Sequence, residues 1–252
     1  MYLLYFLILE AVILIPIYVW SILSQQIKVV IVFVVVIPPL LFKYHNNDIN
    51  LGISFPELNI KYLLWAISLN YIGYFITYFP IWYFIQESYT GSPVYDLMID
   101  ILITSLIWII VWCIIAIPEE ITWRGYLTTE LNNYRSNFHS SILIGLVWAS
   151  FHYPFIFGVS SEFFNSYLII PVWYSCIFFT LNLMCVSVIM GLLNKESNSI
   201  LYPVLIHGIH NALVPVFVSR TTIEYQWLLG EGGIFTSLIW LLLTGVTYLI
   251  TR

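Results

Sequence analysis

The sequence predicts an all-α, polytopic integral membrane bundle of about eight transmembrane helices with a buried polar cavity. Three observations predict it. Hydrophobic residues make up 61% of the chain and charged ones 8%, with a mean hydropathy of +0.92. The apolar residues fall into runs near the twenty or so that a helix needs to cross about 30 Å of hydrocarbon. Inside those runs stand a few ionisable groups, Glu119, Glu120, Arg124, His152 and His207. Such groups cost several kcal/mol each in a bilayer unless they are paired or face a wet cavity, so they mark function by default.

Taken in order, the runs are 2–23, 29–42, 62–85, 97–117, 140–157, 167–193, 199–218 and 233–251. The first lacks both a basic amino-terminal region and a small-residue cleavage site, which suits a retained anchor helix better than a removed signal peptide. Glu10 within it receives no role. The second is short and ends at Pro38-Pro39, so it reads as tilted, broken or longer at its amino end. The loops at 43–61, 86–96, 132–139, 158–166, 194–198 and 219–232 have ordinary Asn, Ser, Gly and Pro turn chemistry. None is long enough for a separate folded unit, so residues 1–252 read as one transmembrane domain.

Charge supplies the orientation. Lys43, Lys61, Arg124, Arg135, Lys195 and Arg252 fall on one set of loops and ends, and the loops between them carry Glu87, Asp96 and Glu162. The positive-inside rule makes the basic side cytoplasmic and puts both termini there; the expected location is the plasma membrane. Lys28 and Arg220 point the other way. The net charge of −5 is spread along the chain and no basic cluster exists, which excludes a nucleic-acid partner. Cys113, Cys176 and Cys185 lie in apolar runs with no metal or redox spacing and read as packing residues. His45, Asp48 and Glu57 share a loop, but solvation explains them.

Three polar elements carry chemistry. In Pro118-Glu119-Glu120-Ile-Thr-Trp123-Arg124-Gly125, Glu120 and Arg124 are four apart, within ion-pair reach on a helix. Glu119 sits about 100° around from Glu120 and can face elsewhere, which suits a general base or acid. The motif follows a charge-free run from Ile101 to Pro118. In Trp148-Ala-Ser-Phe151-His152, the histidine is about 20 Å along its helix from His139, at about 1.5 Å per residue. For the glutamates to meet it, the fourth helix must continue beyond Pro118, kinked, through Leu131. In His207-Gly-Ile-His210-Asn211, His207 and Asn211 share a helix face and can donate hydrogen bonds to an oxyanion. His210 points elsewhere and reads as a bystander.

This ordered set, Glu-Glu-x-x-x-Arg, aromatic-x-x-x-His and His-x-x-x-Asn, resembles the CPBP family of CAAX prenyl-protein endoproteases and bacteriocin-processing or immunity proteins, also called Abi. The acid and the two histidines are separated by 33 and 55 residues. The resemblance covers about residues 100–215, the expected catalytic core, and the eight-helix count also fits. It implies an intramembrane glutamic endopeptidase acting on a peptide or lipidated protein substrate. Glu119 and His152 would activate water, His207 and Asn211 would stabilise the oxyanion, and Glu120 with Arg124 would form the supporting pair. One departure stands out. The aromatic before the second motif's histidine is usually Phe and here is Trp148, expected as a size change in packing that leaves the chemistry intact.

No cofactor is expected. A zinc site on Glu119, His152 and His207 is the nearest alternative, although no H-E-x-x-H pattern is present. Two non-enzymatic readings remain: a proton-coupled transporter, and a self-immunity protein that acts by binding. The first lacks the repeated halves and broken helix pairs of transporters. Substrate identity and oligomeric state are not encoded in these motifs.

Overall fold

The computed structural model describes residues 36–45, 51, 58–91, 94–157 and 171–251. The first run with Glu10, most of the second, Asp48, Glu57 and the 158–166 loop lie outside the described residues. Among the described residues the architecture is helical, with one isolated antiparallel bridge between Tyr89 and Thr221.

The principal helices are α1 (Ile37–His45), α2 (Ile60–Phe84), α3 (Val94–Glu120), α4 (Thr128–Asn132), α5 (Asn137–Phe157), α6 (Val172–Ser197), α7 (Leu201–Val218), α8 (Gln226–Leu229) and α9 (Ile234–Ile250). Pro38 and Pro39 lie in the first turn of α1. This is where proline is tolerated, because first-turn N–H groups have no intrahelical partner. α6, α7 and the stretch Ile223–Ile250 are long and apolar enough to cross a bilayer. The bent pair Asp96–Ile103 and Ile107–Asn132, at 44°, makes a fourth candidate.

The continuation of the fourth run past Pro118 takes a specific form. α3 carries Pro118 inside it and passes directly into a π-helical stretch, Ile121–Leu127, which leads into α4. The 44° bend in this run lies between residues 103 and 107. The wider π turns are held by side chains: Thr122 Oγ1 donates to Pro118 O (3.0 Å), Thr128 Oγ1 to Trp123 O (2.9 Å) and Thr129 Oγ1 to Gly125 O (2.6 Å). π turns of this kind recur at functional sites because they re-aim side chains without ending the helix.

Small residues bring the helices close. A Cβ on Gly208 of α7 would lie 2.4 Å from Cys113 Sγ and 2.7 Å from Cys113 N, so α7 rests on the α3 backbone only because this residue has no side chain. Likewise a Cβ on Gly125 would fall 1.9 Å from Leu51 O, which seats the chain at Leu51 on the π stretch. Polar side chains join the neighbours further. Asn137 Nδ2 donates to Gly191 O (2.9 Å) and Ser187 Oγ to Ser141 O (2.7 Å), linking α5 to α6. Asn70 Nδ2 donates to Ile206 O (3.2 Å), linking α2 to α7.

Candidate active site

The π stretch buries every side chain from Thr122 to Leu127, and with them the acid pair that precedes it. Glu120 is fully buried, Glu119 is 4% exposed and Arg124 1%. Such groups are tolerated only when each finds a partner, and the two adjacent carboxylates find different ones.

Glu120 faces α7. Its Oε1 accepts from Arg124 Nη1 at 3.1 Å and from His207 Nδ1 at 2.8 Å. Arg124 Nη1 also lies 3.0 Å from Oε2, but the aligned hydrogen bond goes to Oε1. Arg124 therefore lies one helical turn from Glu120, as its spacing predicts, while His207 arrives from 87 positions away in sequence. The second terminal nitrogen, Arg124 Nη2, has no hydrogen-bond partner among the described residues; the guanidinium carbon instead stands 4.6 Å over the Trp148 ring, a cation–π contact.

Glu119 faces α5. Its Oε2 accepts two indole N–H groups, from Trp148 at 2.8 Å and Trp123 at 3.2 Å. Both fall on the same oxygen, and no described donor reaches Oε1. Trp148, a residue expected to contribute bulk alone, therefore touches the carboxylate directly through the N–H that a phenylalanine would lack.

His152 lies on α5 one turn beyond Trp148. Its Nδ1 is 2.8 Å from Trp148 O. A carbonyl oxygen only accepts, so Nδ1 is the donor in this contact and carries a proton. Ring contacts with Phe151 (5.4 Å between centroids) and Phe179 (5.6 Å) hold the imidazole in place. His207 meets the Trp148 ring edge-on at 5.0 Å. Asn211 follows one turn along α7, partly exposed and without a described hydrogen bond. Trp148 thus contacts Glu119, Arg124, His152 and His207 together.

His210 belongs to a separate cluster. Its Nδ1 pairs with Tyr74 OH at 3.2 Å and its Nε2 with Glu231 Oε1 at 2.8 Å. Sequence reasoning assigned Glu231 nothing, since it sits in a glycine-rich turn that resembles an ordinary loop. Among the described residues no three His, Cys, Asp or Glu side chains group as a metal centre would require.

Two comparisons bear on this arrangement. Residues 101–213 match the family described as Type II CAAX prenyl endopeptidase Rce1-like. A stretch of 101 residues, 39% of the chain, is 34% identical to CAAX prenyl protease 2 of Methanococcus maripaludis, and the match spans 36% of that relative's length. The apolar spanning helices, taken with this likeness, make the chain an integral membrane protein.

Proposed function

We propose, from the match of residues 101–213 to the family described as Type II CAAX prenyl endopeptidase Rce1-like, that this chain belongs to that family and is an intramembrane endopeptidase. Its reaction is hydrolysis of a peptide bond in a membrane-associated, prenylated or leader-bearing peptide. One observation carries the reading beyond the family likeness. Two adjacent buried carboxylates have different partners, Glu119 two indoles and Glu120 a guanidinium and an imidazole.

In the proposed mechanism Oε1 of Glu119 takes a proton from water, with His152 Nε2 accepting a second hydrogen bond from the same molecule. The hydroxide oxygen bonds to the scissile carbonyl carbon, and the carbonyl electron pair moves onto oxygen. His207 and Asn211 donate to that oxyanion. Collapse breaks the C–N bond, and the proton held by Glu119 passes to the leaving amine. His207 already gives Nδ1–H to Glu120, so it can donate a second hydrogen bond only if Nε2 is also protonated. An imidazolium there suits the charges around it: with Arg124 it balances Glu119 and Glu120, leaving the buried cluster neutral. Glu120 and Arg124 form the supporting pair.

The reading includes one transmembrane domain over 1–252 with the catalytic core at about 100–215 and eight spans. Water enters through a polar funnel among the fourth to seventh runs, open to the cytoplasm. Plasma-membrane residence, cytoplasmic termini and a metal-free reaction belong to it as well.

Mass spectrometry of peptides released in a membrane preparation tests it. Wild type should yield products that Glu119→Gln does not, with kcat down by about 10²–10⁴-fold for a lost general base, and chelators should leave cleavage intact. Full biological activity of Glu119→Gln would overturn the hydrolase in favour of a binding protein. Loss of cleavage on chelation, restored by zinc, would replace the metal-free mechanism.

A further inference from the structure

Trp148 is buried, 3% exposed, and it reaches the proposed machinery from both its side chain and its backbone. The indole N–H donates to Glu119 Oε2 at 2.8 Å, and the backbone carbonyl accepts from His152 Nδ1 at 2.8 Å. The ring face meets the Arg124 guanidinium at 4.6 Å and lies 5.0 Å from the His207 imidazole. Trp123, on the π stretch, adds its own N–H to the same carboxylate oxygen at 3.2 Å.

A carboxylate free to rotate about its last bond presents either oxygen to water. Two donors converging on one oxygen remove that freedom. We propose that Trp148, seconded by Trp123, is the positioning residue of the site: the indole pair holds Oε2 of Glu119 so that Oε1 is the oxygen that receives the proton from water, while the Trp148 carbonyl fixes His152 as the Nδ1–H tautomer.

The pair is assembled from two elements. Glu119 and Trp123 are four residues apart at the entry to the wider turns, and Trp148 approaches from α5. Both donors are rigid, with an N–H that cannot rotate independently of the ring. They therefore set direction more strictly than a hydroxyl or an amide would. Phenylalanine at position 148 would keep the bulk and lose the donor.

The inference rests on the proposed hydrolysis, so its test needs one readout independent of turnover. In the full chain with ¹⁵N-labelled indoles, the Trp148 N–H resonance is identified by its disappearance in Trp148→Phe. Replacing Glu119 by Ala should move that resonance upfield, and an unmoved resonance overturns the hydrogen bond. The second arm follows cleavage of a quenched fluorogenic peptide bearing a farnesylated Cys-a-a-X terminus. Trp148→Phe should lower kcat about 10-fold with KM unchanged, the mark of an interaction that acts on the chemical step. Benzothienylalanine at 148 keeps the bicyclic ring and lacks the N–H, and should lose as much. Wild-type kcat with benzothienylalanine would assign the effect to ring packing and overturn the proposal. Should the wild-type chain cleave nothing in a Glu119-dependent way, the hydrolase reading fails, and the resonance alone decides whether Trp148 orients Glu119.

Discussion

Glu119 and Glu120 are identical in chemistry and adjacent in sequence, yet their substitutions should fail in different ways. The 100° offset between neighbours on a helix turns one toward α5 and the other toward α7. Glu119 is held by neutral indole donors, and removing its charge leaves the contacts of Glu120 with Arg124 and His207 in place. Glu120 lies between Arg124 and His207, and neutralising it leaves a fully buried guanidinium without its counter-charge. Glu120→Gln should therefore destabilise the folded protein by about 3–5 kcal/mol, the usual consequence of removing one member of a buried pair. Thermal unfolding in detergent checks this, with Glu119→Gln expected to lose less stability than Glu120→Gln because it breaks no direct ion pair. Equal loss of stability in the two variants would contradict the division of roles. Trp148 shows how a residue-level resemblance can understate chemistry. Its position is aromatic as the motif requires, but the indole nitrogen reaches an acid that only the fold brings near.

Among the elements, the junction of α3 with the π stretch and the close approach of α7 decide whether the site exists. Pro118 cannot donate a backbone hydrogen bond, so the ladder is interrupted just before the acid pair, and the helix continues in wider turns tied by Thr122, Thr128 and Thr129. The continuation past Pro118 was legible from depth alone, because His152 could meet the glutamates in no other way. Its π character was not legible, since hydrophobic periodicity over seven residues does not separate 3.6 from 4.4 residues per turn. Gly208 then sets how near His207 comes to Glu120. Gly208→Ala should cost about 1–3 kcal/mol by overpacking and reduce activity with it. Cys113→Ala in the same chain should not rescue it, because the Cys113 backbone nitrogen also lies within 2.7 Å of the added Cβ. Recovery in that double variant would show that the sulfur alone sets the spacing.

Across the whole molecule, the described loops sort into two ends. Thr90 N donates to Arg220 O and Thr222 N to Ser88 O, both at 3.0 Å, so the turns following α2 and α7 share one end. Asn137 meets Gly191, and Asn59 N donates to Tyr202 OH at 2.9 Å, which gathers the starts of α2, α5 and α7 with the end of α6 at the other. That second end carries Lys61, Arg135 and Lys195. Arg220, the described exception to the charge pattern, binds Asp100 and the carbonyl of Val216. With the basic end cytoplasmic, Tyr134→Cys should react with an impermeant thiol reagent only in inverted vesicles, and Glu224→Cys only in right-side-out ones. The reverse pattern would invert the proposed topology.

By itself the sequence determined that the chain is helical and membrane-embedded, and that its few polar residues stand at helical spacings. Those properties follow from local rules: a backbone in lipid must satisfy its own hydrogen bonds, and residues four apart share a face. Tertiary structure alone decided that His207 pairs with Glu120, that two indoles select one oxygen of Glu119, and that His210 leaves the site for Tyr74 and Glu231. Each of these choices depends on how closely and at what rotation two distant helices meet. Small residues and π turns set that geometry through packing, and no spacing along one chain segment records it.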